Sequence, residues 1–483
     1  MLFNSVEYFV FLALVIPLYF IIPYRYRWIF LLIASYFFYM RWRWEYIFLI
    51  IISTLIDFIA GMNIVKSSPK GKKRWLIVSI ISNLSLLFFF KYFNLFNRTF
   101  AYFFNLLKID YPVPDLDILL PVGISFYTFQ SLSYTIDIYK GKLEPTRHLG
   151  KFMLFISFFP QLVAGPIERA KSLLPQLSER RNFDYNRFAH GSMLILWGLF
   201  KKVVIADNAA KYVDMVYANP SNFSGYAGII ATYCFAIQAY GDFSGYSDIA
   251  IGSAEILGVK LMQNFRRPYF ARTFAEIWER WHISLSTWLR DYLYFSLGGS
   301  KKGNLRTVIN IFITMFLGGI WHGANWTFVL WGLMVGLLIV LSRITEEYRN
   351  ALFAKMNFPD SIRKVIQIII TFHLFCFTLV FFRSESFTKL GYMFKQILTM
   401  ASGLNYKIGS YILYTDTELL FLFISLLILF IVQIIQEYQN SNGLDFMYKW
   451  FPRPVRWIFY YAIILLIAIY GVDGSKAFIY FQF

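Results

Sequence analysis

Long apolar runs recur along the chain, and they constrain its fold more than any other feature. Runs such as 44–64 and 416–436 are long enough to cross about 30 Å of hydrocarbon as α-helices. Only 15% of the 483 residues are charged and 58% are hydrophobic, whereas a soluble domain carries about 25% charged residues. A β-barrel would instead show alternating segments of about ten residues. The sequence therefore predicts an all-α polytopic membrane protein.

The lengths of the apolar segments predict about eleven to thirteen transmembrane helices, with re-entrant and interfacial helices between them. Segments 223–240 and 244–258 are counted separately. No stretch is long and polar enough for a soluble domain, so residues 1–483 are expected to form a single membrane domain. The first run, 6–22, lacks a basic n-region and a small-residue cleavage site, and it is interpreted as a retained span.

The net charge of +18 lies in loops rather than in a basic soluble module. Loop 66–74 carries five basic residues, and loop 169–187 is a weaker second example. Basic loops stay on the cytoplasmic side and face anionic lipid, so both are predicted to be cytoplasmic. Membrane lipid is therefore the expected partner of this charge, and nucleic acid is not.

Several common kinds of site are missing from the sequence. Cys234 and Cys376 lie far apart in apolar surroundings, so no disulfide framework, redox pair or metal site is expected. No P-loop, H-E-x-x-H or G-x-S-x-G string occurs, and no histidine is followed five residues later by aspartate. These absences argue against an ATP-driven pump, a metalloprotease and a serine hydrolase.

The region 260–306 is charged and rich in tryptophan, unlike the rest of the chain. Its apolar residues recur at steps of three and four, which predicts one helical stripe: Trp278, Trp281, Leu285, Trp288, Tyr292 and Phe295. Such a helix suits a membrane interface or the wall of a wet cavity. The glycine-rich run 298–303 is expected to end it in turns.

Two of the five histidines have settings that suggest chemistry. His322 lies in an apolar run between Trp321 and Gly323, and an ionisable group there is a candidate functional site. Burial favours neutral imidazole, the form that a general base needs. Asn325 lies three residues on and is expected to share its helical face, and the G-x-x-x-G spacing of Gly319 and Gly323 permits close approach of another helix.

Structural interpretations compete with these. His322 also suits a hydrogen-bonded contact between helices, and His282, on the predicted stripe helix, suits the membrane interface. His148 and His190 are expected to be solvated, and His373 to be a structural histidine.

Carboxylates in or beside apolar segments suit the proton path of a transporter: Asp137, Asp207, Asp242, Asp248 and Glu255. Pairing with nearby cations is the preferred interpretation: Lys201, Lys202, Arg266 and Arg267.

Six strings of residues resemble the membrane-bound O-acyltransferase family, in its bacterial branch that acetylates alginate, peptidoglycan and cellulose. They occur at 121–130, 159–167, 238–248, 264–269, 278–286 and 319–324. The most specific read R-W-H-I-S around His282 and G-I-W-H-G-A around His322. The resemblance implies a ring of tilted helices around a central tunnel, with 260–306 at its cytoplasmic entrance.

The family pattern carries two polar catalytic positions, and these match His322 and His282. The residues then expected to bind or orient substrate are Asn325, Trp321, Trp278, Trp281, Ser286 and Arg280. The implied donor is a cytoplasmic acyl thioester such as acetyl-CoA, with no tightly bound cofactor. The implied acceptor is an exported or cell-wall polysaccharide, reached through a periplasmic or extracellular SGNH-type acetyltransferase partner from a bacterial inner membrane.

The segment 478–483 reads F-x-Y-x-x-F. It resembles the tail of the small partner peptide in teichoic-acid D-alanylation, which implies that Tyr480 carries the acyl group. A phenol ester splits one difficult transfer into two easier ones, whereas the competing interpretation is an aromatic anchor at the membrane interface. The sequence also leaves open D-alanine as the acyl group, a transporter or flippase, and a scaffold subunit of a polysaccharide export machine.

Overall fold

The structure, a computed structural model, describes residues 1–163, 165–223, 226–399, 415–441, 443–472 and 478–479. Every regular element within these ranges is helical. The chain divides into two compact units, one of residues 1–192 with 250–262 and the other of residues 193–249 with the chain from 263 onwards. The single membrane domain stays a prediction.

The first unit contains the N-terminal helices. They are α1 Val6–Ile21, α2 Tyr24–Met40, α3 Ile47–Lys66, α4 Pro69–Leu87, α5 Phe93–Leu106, α6 Ile124–Tyr139, α7 Leu149–Ser157, α8 Phe159–Leu162 and α9 Ala170–Gln176. A π-helical turn, Phe88–Tyr92, joins α4 to α5. Two long helices, α10 Tyr185–Leu199 and α12 Ala227–Ile256, contribute residues to both units.

A buried carboxylate joins α3, α4 and α6 in the first unit. Asp57 is fully buried and accepts hydrogen bonds from Ser79 at 2.5 Å, from Asn83 at 2.8 Å and from Ser131. An ionised group is costly in an apolar interior unless it is hydrogen-bonded. The three donors therefore account for its place between apolar helices.

The second unit contains the remaining helices. They are α11 Asp207–Ala218, α13 Phe274–Arg280, α14 Ile283–Trp288, α15 Asn304–His322, α16 Trp326–Ile344, α17 Glu346–Met356, α18 Asp360–Arg383, α19 Phe387–Leu398, α20 Asp416–Gln439, α21 Asp445–Trp450 and α22 Arg453–Tyr470. π-Helical segments precede α11 at Phe200–Ala206 and follow α14 at Leu289–Tyr294.

Eight helices in the described ranges are long and apolar enough to cross a membrane. They are Trp44–Lys66, Pro69–Leu106, Tyr185–Ala218, Asn304–His322, Trp326–Ile344, Asp360–Arg383, Asp416–Gln439 and Arg453–Tyr470. The predicted all-α polytopic membrane protein is confirmed. The larger number of eleven to thirteen crossings, which included shorter segments such as 6–23, stays a prediction.

Two sequence expectations about helix boundaries were wrong. Segments 223–240 and 244–258 form one helix, α12, because Asp242, the charged residue between them, is buried and paired with Lys202 instead of lying in a loop. The predicted stripe over 278–295 is divided into α13, α14 and a π-helical segment. The turns at 298–303 are confirmed, with positive φ at Gly298, Gly299 and Gly303.

Candidate active site

His322 is the last residue of α15 and is buried, with 5% of its surface exposed. Aromatic rings surround the imidazole, with centroids 4.9 Å away for Trp331, 5.1 Å for Trp321 and 5.3 Å for Phe382. Rings packed on several sides fix the orientation of the imidazole. The predicted burial of His322 is therefore confirmed.

The position of His322 depends on close packing between α15 and α16. A Cβ at Gly319 would lie 2.4 Å from the carbonyl oxygen of Phe328, and one at Gly332 would lie 2.3 Å from that of Met315. Only glycine permits the two backbones to approach this closely. The predicted close approach at Gly319 is confirmed, whereas at Gly323 the neighbour is the ring of Phe328.

His282 lies at the break between α13 and α14, in a left-handed conformation with φ of 43°. Asn264 holds this break, since its carbonyl oxygen accepts from Ile283 N at 3.0 Å and its side-chain oxygen accepts from Ser284 N at 3.4 Å. His282 is 1% exposed, and burial lowers its pKa to about 3. The imidazole is therefore neutral at physiological pH.

Trp321 lies beside both histidines. Its ring centroid is 5.8 Å from that of His282 and 5.1 Å from that of His322. Phe243 also packs against His282, with the two ring centroids 4.5 Å apart. The two predicted catalytic residues thus share one aromatic cluster within the second unit.

A small cavity of ≈ 20 Å³ opens beside His322. It is lined by Ala239, Trp281, His322, Trp331, Phe375, Leu379, Phe382 and Ile479. A space of this size holds about one water molecule. A larger group must displace some of these side chains.

The residues before Tyr480 lie close to this site. Phe478 is fully buried, with its ring 5.3 Å from Phe243 and 4.7 Å from Tyr246. Ile479 lines the cavity beside His322. Tyr480 itself lies outside the described residues, and its role as an acyl carrier stays a prediction.

The other predicted binding residues have different surroundings. Trp281 lines the cavity, and the ring of Trp278 packs 5.8 Å from Trp331. Ser286 donates to the carbonyl oxygen of Trp281 at 3.2 Å, and Arg280 pairs with Glu276 and Glu437. The tryptophans therefore form the aromatic wall, whereas Ser286 and Arg280 hold the backbone and helices of 274–288.

The expectation that Asn325 shares a helical face with His322 was wrong. α15 ends at His322, and Asn325 is the N-cap of α16. Its side chain accepts from Thr327 N at 3.1 Å and donates to the carbonyl oxygen of Glu385 at 2.6 Å. The extended backbone at Gly323 separates the two helices, so Asn325 is a capping residue.

Comparison with known proteins assigns this site to a family. Residues 146–384 match the membrane-bound O-acyltransferase (MBOAT) family, and this range contains both histidines. The chain is 38% identical over 387 residues to the probable alginate O-acetylase AlgI of Pseudomonas aeruginosa, covering 79% of this chain and 72% of that protein. The chain belongs to the MBOAT family. It is a membrane O-acyltransferase.

Two further relatives have different acyl-transfer activities. The peptidoglycan O-acetyltransferase of Helicobacter pylori is 35% identical over 361 residues, covering 69% of this chain and 66% of that protein. The teichoic acid D-alanyltransferase of Bacillus subtilis is 28% identical over 287 residues, covering 57% and 71% respectively. Acyl transfer is thus shared, while the acyl group differs between relatives.

The carboxylates that suited a transporter are engaged in pairs. Lys201 contacts Asp248 at 2.7 Å, and Lys202 contacts Asp207 at 2.9 Å and Asp242 at 2.7 Å. The preferred pairing interpretation is confirmed for these three aspartates. These pairs join α12 to the π-helical segment Phe200–Ala206 and to the start of α11.

The remaining histidines have structural surroundings. His373 makes a 2.7 Å hydrogen bond with the carbonyl oxygen of Ile369, as a structural histidine would. His148 is exposed and caps α7, whereas His190 is half-buried and contacts Glu255 at 2.8 Å rather than being fully solvated. In the part of the chain that the structure describes, no group of His, Cys, Asp and Glu forms a metal site. Asn264 was missed as a site residue, although it lies in a string shared with the family.

Proposed function

We propose that this MBOAT enzyme transfers an acetyl group from cytoplasmic acetyl-CoA across the bacterial inner membrane for O-acetylation of an exported or cell-wall polysaccharide. The activities of its relatives support this assignment, since alginate and peptidoglycan are both such polysaccharides. The observation that carries the chemistry is that Trp321 packs against both His282 and His322, while His322 and Ile479 line one cavity.

His322 is the general base of the transfer. It takes the proton from a hydroxyl as that oxygen attacks the thioester carbonyl carbon. The new C–O bond forms as the C–S bond breaks, and the proton passes from His322 to the departing thiolate to give free CoA. Burial among Trp331, Trp321 and Phe382 leaves room for about one water molecule and so limits hydrolysis of the thioester.

His282 stabilises the oxyanion that develops on the carbonyl oxygen. Because its pKa is lowered to about 3, it offers a neutral imidazole N–H rather than a cation. A fixed donor aimed at developing charge lowers the barrier without reorganisation. Its support is the buried break held by Asn264, which leaves the ring little freedom.

The first acceptor is the phenol of Tyr480. The acetyl ester formed there then passes to a serine hydroxyl of an SGNH-type partner enzyme, which restores the phenol and delivers the acetyl group to the polysaccharide. Covalent relay of this kind lets one donor site serve an acceptor on the far side of the membrane. The supporting observation is that Ile479, the preceding residue, lines the cavity beside His322.

The test is incubation of purified protein with radiolabelled acetyl-CoA, followed by peptide mapping. Label is expected on the peptide containing Tyr480, and both His322→Ala and Tyr480→Phe are expected to remove it. Loss of a general base costs on the order of 10²–10⁴ in rate. His373→Ala is the matched control and should keep the label, since His373 is exposed and its imidazole hydrogen-bonds the carbonyl oxygen of Ile369 in the same helix.

The outcomes separate the competing assignments. Wild-type labelling of His322→Ala would refute the catalytic assignment, and polysaccharide acetylation by Tyr480→Phe would refute the relay while keeping the acyltransferase. Transfer from a D-alanyl thioester, with none from acetyl-CoA, would show that the acyl group is D-alanyl rather than acetyl. A scaffold subunit predicts that His322→Ala leaves polysaccharide acetylation in cells unchanged.

A further inference from the structure

A buried cluster of charged residues lies in the second unit, and the reaction described above does not use it. The cluster comprises Lys201, Lys202, Asp207, Asp242 and Asp248, joined by contacts of 2.7–2.9 Å. The Lys202, Asp207 and Asp242 side chains are each at most 4% exposed. Buried charges are kept only where partners offset the cost of desolvation.

The cluster contains three carboxylates but only two ammonium groups. Lys201 pairs with Asp248, and Lys202 pairs with both Asp207 and Asp242. Asp242 Oδ1 faces Lys202, and its Oδ2 accepts the backbone N–H of Ile479 at 2.7 Å. A buried N–H donated to a carboxylate is a strong, charge-assisted bond. The backbone N–H of Ile479 thus stabilises the carboxylate of Asp242, which shares Lys202 with Asp207.

The same part of the unit binds the chain on both sides of the 473–477 segment. Val472 N donates to the carbonyl oxygen of Val203 at 3.1 Å, and Asn208 donates to that of Tyr470 at 2.9 Å. Phe478 packs on Phe243, the residue after Asp242. The hydrogen bonds to the Val472 and Ile479 amides fix which residues lie at these two points, and a slip of one residue would place a different side chain at each.

We propose that Asp242, held by Lys202, is a positioning residue that fixes the register of the tail so that Tyr480 is presented to His322. This inference rests on the proposed function, in which Tyr480 carries the acyl group. Asp242 does not touch the reacting atoms; it acts through the Ile479 amide. Without Asp242 the histidine site stays assembled and still cleaves the thioester, but fewer of the acetyl groups reach Tyr480.

The test removes each partner of this hydrogen bond in the full-length protein. Ile479→Pro removes the N–H and leaves the charge cluster intact. Asp242→Leu removes the acceptor at similar side-chain size. In both variants the rate of Tyr480 acylation is expected to fall on the order of tenfold to a hundredfold, as for displaced reactants. The double variant should be no worse than the more affected single variant, because both remove one interaction.

Release of free CoA from acetyl-CoA is measured alongside the tyrosine label. A positioning defect leaves water as the acceptor in place of the phenol, giving acetate and free CoA, so it lowers the ratio of label to CoA released. General damage to the protein lowers both together. Asp214→Asn is the matched control, because it removes a 3.0 Å pair with Arg383 from a half-exposed aspartate outside the cluster. Its ratio should equal that of the wild type.

Failures of the two proposals are distinguishable. No label on the wild-type tail overturns the relay itself. A labelled wild type with an unchanged ratio in Ile479→Pro overturns the positioning role and leaves the relay standing. Ile479→Pro keeps this test decisive if Asp242→Leu does not fold, and additive losses in the double variant would also refute a shared interaction.

Discussion

Replacing Gly319 with alanine tests whether the backbone contact between α15 and α16 sets the position of His322. The new Cβ would lie 2.4 Å from the carbonyl oxygen of Phe328 and 3.1 Å from Cα of Gly332. Ordinary contact begins at 3.4 Å, so the helices must separate by about 1 Å. Both neighbours are backbone atoms, which have no rotamer by which to move away.

The expected cost of this overpacking is about 1–3 kcal/mol in the free energy of unfolding. His322 ends α15 one turn after Gly319, so it moves with the helix. A displacement of about 1 Å lowers transfer on the order of a hundredfold. The assay is acetyl transfer per amount of monodisperse protein, together with the thermal midpoint in detergent.

Two other glycines provide a graded control. Gly336→Ala meets a side-chain carbon of Phe312 at 3.3 Å and should have a smaller effect. Gly391→Ala has no atom within 4 Å of its Cβ and lies inside α19, where alanine is favoured by about 0.5–1 kcal/mol. A wild-type transfer rate in Gly319→Ala, or equal losses in all three variants, would show that the helix contact does not position His322.

Three further predictions concern other groups. Burial lowers the pKa of His282 from 6.5 to about 3, so only the unfolded chain protonates this imidazole as the pH falls below 6.5. The free energy of unfolding then decreases by about 1.4 kcal/mol per pH unit. Between pH 7.5 and 5, the thermal midpoint of His282→Gln should therefore fall less than that of the wild type. Asn325→Ala should cost about 1 kcal/mol in stability through the lost helix cap, with transfer per folded molecule retained. Asp57→Ala should lower the yield of monodisperse protein more than Asp57→Asn, since about 1–3 kcal/mol is lost for each donor left unbonded.

The sequence predicted the fold class because apolar length alone decides it, but it did not predict where helices break. The apolar segments 223–240 and 244–258 are divided at Asp242, yet Asp242 and Asp248 are paired with Lys202 and Lys201, and α12 continues through them. The two lysines were predicted as partners, but the sequence did not show that this pairing lets one helix run through both segments. At His282 the opposite occurred: an unbroken periodic stripe is interrupted by a left-handed residue that Asn264 holds from outside the helix.

The same distinction separates the site residues that were predicted from those that were not. His322 was singled out because an ionisable residue in an apolar run is visible in the sequence, and His282 because its R-W-H-I-S string resembles the family pattern; their catalytic roles stay predictions. Asn325 was assigned wrongly because spacing of three residues implies one face only within a continuous helix, and α15 ends at His322. Asp242 contacts the tail 237 positions away, a separation that only the folded chain reveals.

The surroundings of the two histidines differ in the way that their proposed roles as general base and oxyanion donor require. His322 lies in the last turn of α15, where the helix dipole favours positive charge by about 0.3–1 kcal/mol. The proton that it accepts during attack is therefore stabilised where it arrives. His282 is more deeply buried, and desolvation keeps it neutral. A base must gain charge in the transition state and an oxyanion donor must not, so exchanging the two roles would oppose both environments.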